Sequence, residues 1–192
     1  MKFMEERILK DGQVCPGEIL KVDSFLNHQL DLPFLGEIGK TFYERYKDAG
    51  ITKIVTVETS GIPIACMTAL CFGVPVVFAK KSRKRDPAED LYVSTAHSYT
   101  HKRNFNITLS RKYLTAKDKV LLVDDFMARG EAMRALISIC HTAGAEVAGI
   151  GIAIEKGFQG GGDGLRSHGY DVTSCAVIDR MDDTSLVFRP GT

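Results

Sequence analysis

No Cys-x-x-Cys pair occurs in this chain, and its five cysteines, Cys15, Cys66, Cys71, Cys140 and Cys175, are odd in number and mostly flanked by apolar residues. That pattern speaks against a disulfide framework and predicts buried, reduced thiols in a cytoplasmic protein. A charge excess is missing too: the net charge is +1, so no global attraction to nucleic acid or to an acidic membrane is expected. The amino terminus, Met-Lys-Phe-Met-Glu-Glu-Arg, mixes both signs and has no apolar h-region, so it does not read as a signal peptide. One uncharged stretch, Thr59 to Ala79, approaches membrane-spanning length. Gly73-Val-Pro75 divides it, and the two pieces read as a buried helix and a buried strand of a protein outside the membrane.

What is present is a chain of 192 residues, 44% hydrophobic, long enough for one sizeable core and read as a single domain over 1–192. The helical pattern of Met1–Lys10 would end at Gly12. Gly17–Val22 is weakly strand-like, and Asp23–Leu30 has no clear period. Asp31 reads as the N-cap of a helix with Pro33 in its first turn, and Phe34, Leu35, Ile38, Phe42 and Tyr46 follow at helical spacing up to Gly50. From Ile51 the order becomes strand, loop, helix, strand: Lys53–Val57, then Glu58–Ile62, Ile64–Phe72 and Pro75–Phe78. Lys119–Val123, a helix from Glu131 to Gly144, and Val147–Ile154 continue the alternation, and Asp171–Val177 adds one more strand. Such alternation predicts βαβ units in an α/β fold, a central parallel sheet flanked by helices. Ser185–Arg189 would add a short edge strand, and Gly157–Gly164 reads as a flexible turn.

Val120–Ala132 is the densest stretch: four aliphatic residues of a strand buried on both faces, then Asp124 and Asp125, then small residues around Gly130 leading into a helix. In an open α/β sheet ligands bind at the carboxyl edge, where both acids would stand. A glycine loop opening a helix gathers unpaired N–H groups at the positive end of the helix dipole, which suits a phosphate. Taken alone, the two acids are equally readable as solvated loop residues. Between Lys80 and Lys117 a basic run, Lys80–Arg85, precedes the acidic Asp86–Asp90 and two alternating segments, Leu91–Tyr99 and Phe105–Leu109, that predict a two-stranded ribbon. No aromatic residue interleaves the basic run, so it argues for no nucleic-acid partner. Gly39-Lys-Thr41 lacks the first glycine of a P-loop, since Phe34 stands there, and His97 with His101 has no companion ligand for a metal.

The run Val120–Ala132 resembles the phosphoribosyl-pyrophosphate signature of the type I phosphoribosyltransferase family. Leu20–Leu30 and Ile154–Gln159 further resemble the members of that family that act on xanthine. The resemblance implies a type I phosphoribosyltransferase fold, with a small hood lobe from about 1–30 and 155–192 and a flexible hairpin lid at about 80–112. It implies that Asp124 and Asp125 hold the ribose hydroxyls, directly or through Mg²⁺-bound water, with Mg²⁺ reaching the protein through substrate and water. Phosphoribosyl pyrophosphate would be gripped by Ala128, Arg129, Gly130, Glu131 and Ala132, by the turn of Thr59, Ser60 and Gly61, and by Lys81. Leu20, Asn27 and Lys156 would border the purine, Lys156 facing its 6-oxo group and Asn27 the 2-oxo group that separates xanthine from hypoxanthine. Ser98-Tyr99 is similar to the serine–aromatic pair of the family's mobile loop, and Phe158 would either cover the purine or pack in the core. One departure is clear: the family's loop commonly closes with threonine, whereas Ala132 stands here, so backbone N–H groups and the Arg129 charge would carry the phosphate. A homodimer is expected from the family. Guanine or hypoxanthine as the base, and a ligand-sensing regulator that keeps the fold, are the alternatives. A response-regulator receiver is excluded by order, because too few residues follow Asp124.

Overall fold

The computed structural model describes residues 1–82, 90–98 and 103–191. Helix α1 (Lys2–Asp11) leads into a small antiparallel ribbon, β1 (Gln13–Cys15) and β2 (Ile19–Lys21), and a π-helical turn over Asp23–Asn27. Then follow α2 (Leu32–Tyr46), β3 (Lys53–Val57), α3 (Gly61–Phe72), β4 (Val76–Ser82), β5 (Leu91–Ser98), β6 (Arg103–Ser110) and β7 (Lys119–Met127). The chain closes with α4 (Glu131–Ala143), β8 (Glu146–Lys156), α5 (Gly161–Ser167), β9 (Val172–Met181) and β10 (Leu186–Phe188).

Among the described residues eight strands form one sheet in the order β10-β9-β8-β7-β3-β4-β6-β5. Its centre, β9 to β4, is parallel, and both edges are antiparallel. The expected ribbon is thus present as β5 and β6, and it continues the sheet through the pairing of Lys80–Ser82 with Asn106–Thr108. Two buried clusters cover the two faces. Leu121 and Val123 pack with α2 and α3, while Val120 and Leu122 pack with Leu136, Ile139 and Cys140 of α4, which is why the strand reads as a continuous apolar run.

Local chemistry accounts for the elements. Asp31 caps α2 by accepting from the Phe34 N–H at 3.2 Å, and Gly50 takes φ +68° to turn the chain into β3. Glycines let α2 lie close on β8: a Cβ at Gly149 would stand 2.3 Å from the Tyr46 ring, and one at Gly151 3.0 Å from Phe42. Four expectations need correction. Strand β7 runs on through Asp124 and Asp125 to Met127, because β8 continues beside it and supplies partners up to Glu155. Helix α3 begins at Gly61, not Ile64. Gly157–Gly164 is not a loose turn: it holds a 3₁₀ turn at Gly157–Gln159 and the start of α5. Cys140 and Cys175 are buried free thiols, but Cys66 and Cys71 are exposed on α3, whose apolar residues extend around most of the helix. Tyr99, His101 and Arg83–Arg85 lie outside the described residues. Among the described residues no helix is long and apolar enough to cross a membrane.

Candidate active site

Strand β3 pairs with β7 only as far as Leu122, so the stretch Asp124–Met127 overhangs its neighbour on that side. Into this step comes the turn after β3. Glu58 donates its N–H to the Ala79 carbonyl at 2.9 Å, and its carboxylate accepts the Lys81 N–H at 2.5 Å, which ties the turn to β4. The Glu58–Thr59 peptide is cis. Gly61 then passes so near the acids that a Cβ there would lie 2.8 Å from Asp124 Oδ1 and 2.3 Å from Thr56 Oγ1. Thr56 is buried with its hydroxyl unpartnered among the described residues, directly beneath this junction. Thr59, Ser60, Gly61 and Asp124 therefore share one corner of the carboxyl edge.

Asp124 is 8% exposed and accepts the Asp125 N–H at 3.0 Å on Oδ1, while Asp125 is half-buried. Burial pushes the Asp124 carboxyl well above the usual carboxylate range, and the Asp125 charge beside it pushes the same way. The Lys81 ammonium pulls against both, and its backbone N–H is tied to Glu58 of the neighbouring turn. Two adjacent carboxylates that resist ionising together are suited to a cation or to hydroxyl donors. No group of three metal-ligating side chains occurs among the described residues, so Mg²⁺ fits this corner only with most of its oxygens supplied from elsewhere.

Beyond β7 the loop Ala128–Gly130 turns into α4 with Gly130 at φ +80°. Among the described residues no side chain caps α4, so its first N–H groups stay available to an anion. Arg134, one turn into the helix, donates to the Arg129 carbonyl at 2.5 Å and to Glu131 at 3.4 Å, holding the loop from behind. Glu131 and Ala132 form the helix's first turn and are half-buried.

One strand over, Glu155 is in register with Met127, and Lys156 follows it at the end of β8. Burial lowers the Lys156 pKa, and the Glu18 charge opposes the shift. The Lys156 ammonium donates to the Glu18 carbonyl at 2.7 Å, and the Gln159 amide to the Glu18 carboxylate at 3.4 Å. Glu18 stands in the β1–β2 turn with φ +58°, so this contact brings the amino-terminal ribbon over the end of β8. Leu20 is buried on β2 in the cluster against which Phe158 packs. Asn27 is exposed at the end of the π-helical turn, and among the described residues no hydrogen bond links it to Lys156. Reading the sequence alone overlooked Glu155 and Arg166, although a lone acid inside an apolar strand is a signal that a buried partner is needed.

The phosphoribosyl transferase domain matches residues 27–186 of this chain. The chain belongs to the phosphoribosyltransferase family. A xanthine phosphoribosyltransferase of Bifidobacterium adolescentis is 52% identical over 95% of each chain. One of Bifidobacterium longum is 51% identical over 98% of this chain and the whole of its own. A third, from Ruminiclostridium cellulolyticum, is 48% identical over 98% and 99%. Among solved structures, the adenine phosphoribosyltransferase of Giardia lamblia complexed with 9-deazaadenine superposes with a TM-score of 0.76 at 23% identity, over 91% of this chain and 96% of its own. That of Saccharomyces cerevisiae reaches 0.74 at 20%, over 91% and 99%. These two carry the fold alone, and this phosphoribosyltransferase shares its mixed sheet flanked by helices with them.

Proposed function

We propose that this phosphoribosyltransferase transfers the 5-phosphoribosyl group from phosphoribosyl pyrophosphate to N9 of xanthine, in purine salvage. The observation that carries the reading is the seating of Gly61 against Asp124, which puts the Glu58–Gly61 turn and the acidic end of β7 side by side. A substrate with a pyrophosphate at one end of a ribose and a phosphate at the other needs two anion cradles separated by hydroxyl acceptors. The turn with Lys81, the Asp124–Asp125 pair and the N-terminus of α4 would supply them. Thr59, Ser60, Gly61 and Lys81 would hold the pyrophosphate, Asp124 and Asp125 the ribose hydroxyls, and Ala128–Ala132 the 5-phosphate.

In the reaction the bond from ribose C1 to the pyrophosphate oxygen breaks as the bond from xanthine N9 to C1 forms. The proton of the imidazole ring is released to solvent as N9 becomes substituted, since Ala128 offers no acid or base to take it. The protein's contribution is to hold both partners in line and to meet the departing charge with fixed donors. When bound, Mg²⁺ would neutralise charge on the pyrophosphate near Asp124 and Asp125. At the other end Lys156 would donate to the 6-oxo group and Asn27 to the 2-oxo group, with Leu20 against the ring. A donor dedicated to the 2-oxo group discriminates better than shape, since a base lacking that oxygen leaves it unpaired. The choice of xanthine over other bases is supported by the names borne by relatives of about half identity.

We place the enzyme in the cytoplasm, where free thiols persist, and assign it a homodimer. Pyrophosphate release by purified protein with Mg²⁺ and phosphoribosyl pyrophosphate tests the function, with xanthine, guanine, hypoxanthine and adenine compared side by side. Release far higher with xanthine is the expected result. A preference for another base would overturn the roles of Asn27 and Lys156, and no release with any base would favour a sensing regulator.

A further inference from the structure

Glu155 is fully buried, and a carboxylate so placed is tolerated only if it is paired and hydrogen-bonded. Arg166 of α5 supplies both: its Nη1 and Nη2 donate to the two carboxylate oxygens at 2.9 and 2.8 Å, and Ser174 adds a hydroxyl at 2.5 Å. Room for the pair comes from Gly162, where a Cβ would stand 2.1 Å from Glu155 Oε1. The network continues outward. Arg166 donates to Asp163 at 3.1 Å, Arg189 donates to the same carboxylate at 2.9 and 3.0 Å, and Arg189 also holds Asp179 at 2.7 Å. A seven-residue helix containing three glycines has little propensity to hold itself, so these bonds fix where α5 begins.

Its beginning is seated on the loop after β7. Gly161 donates its N–H to the Ala128 carbonyl at 3.1 Å, and a Cβ there would lie 2.3 Å from that oxygen, 2.7 Å from the Arg129 carbonyl carbon and 2.8 Å from the Gly130 nitrogen. The backbone of α5 thus presses on the backbone of Ala128–Gly130 with no side chain between them. We propose that Glu155 and Arg166 are positioning residues for this loop: the ion pair sets α5, and Gly161 in turn holds the loop N–H groups in the geometry that receives a phosphate. The inference rests on the reading above that Ala128–Ala132 binds the 5-phosphate. A rigid bidentate pair specifies direction as well as attachment, which an apolar contact alone does not. Because Glu155 is in register with Met127 and precedes Lys156, one strand end carries both the loop's support and the lysine assigned to the base.

Calorimetric titration of phosphoribosyl pyrophosphate with Mg²⁺, together with KM values for both substrates, tests the proposal. Ala132→Asp puts a negative charge in the first turn of α4 and should weaken phosphoribosyl pyrophosphate strongly if the loop holds a phosphate. Gly161→Ala and Arg166→Gln should weaken the same ligand about tenfold, with kcat and the KM for xanthine within about twofold of wild type. Arg166→Lys should recover part of the loss, and Ser167→Ala, on the outer side of α5, should change nothing. Wild-type affinity in Gly161→Ala beside a weakened Ala132→Asp would overturn the positioning role and leave the loop reading standing. Wild-type affinity in Ala132→Asp would overturn both. If Arg166→Gln does not fold, Gly161→Ala decides.

Discussion

Asp124 and Asp125 are adjacent in sequence but unlike in surroundings, and the difference predicts unlike mutants. Asp125, half-buried at the open step of the sheet, should lose about 10²-fold in turnover as Asp125→Asn, with unfolding unaffected, because a neutral amide is a poorer acceptor for ribose hydroxyls. Steady-state rates equal to wild type would remove it from the site. Asp124 has its pKa raised by burial and by its neighbour, so the folded state favours the protonated form. For an acid shifted upward, stability is greatest at low pH and falls as pH rises from the unfolded value through the folded one. Asp124→Asn should therefore raise Tm near neutral pH and lower activity, the gain shrinking towards pH 4. A Tm difference independent of pH would show that folding does not raise the Asp124 pKa. At the base end, Asn27→Ala should lower the kcat/KM ratio of xanthine over hypoxanthine by about tenfold or more, and an unchanged ratio would discard that assignment.

At the scale of elements, close backbone approach does much of the positioning. Gly61 on Asp124, Gly161 on the Ala128–Gly130 loop, and Gly149 and Gly151 beneath Tyr46 and Phe42 each allow a contact that a methyl group would block. Gly149→Ala should cost about 1–3 kcal/mol in denaturant unfolding by forcing α2 from β8, while the substrate KM values stay near wild type, since Gly149 lies near the start of β8 and Lys156 at its far end. A shift in KM without a loss of stability would mean that α2 reports to the site. Capping and turn chemistry were readable for Asp31, Pro33, Gly50, Gly130 and Gly144, because each acts on neighbours in the chain. The ends of β7 and β8 were not readable, because an acid-bearing extension is stabilised by the strand beside it rather than by its own residues. Helix α5 was missed because its glycines serve contacts that the fold creates, Gly162 with the buried Glu155 and Gly161 with Ala128.

For the whole molecule, the parallel centre collects the carboxyl ends of β3, β4, β7 and β8 along one edge, and Gly61, Asp124, Asp125 and Lys156 gather there without belonging to one segment. The amino-terminal ribbon reaches that edge through Glu18, which accepts from Lys156. Helix α3 leaves Leu70 75% exposed beside Cys66 and Cys71, an apolar face of the kind a second copy covers. Sedimentation equilibrium should give twice the chain mass at micromolar concentration. A monomer mass there would withdraw the homodimer.

The sequence by itself determined the α/β class, the order of strands and helices except β1 and α5, and the acidic strand end with its glycine loop, since period, capping and loop composition are local properties. Only the tertiary structure decided that β5 and β6 extend the main sheet, that Gly61 brings the first turn against Asp124, and that Glu155 and Arg166 stand behind the loop. Those relations join elements through sheet pairing, close backbone approach and an ion pair, and none of these leaves a periodic mark in sequence.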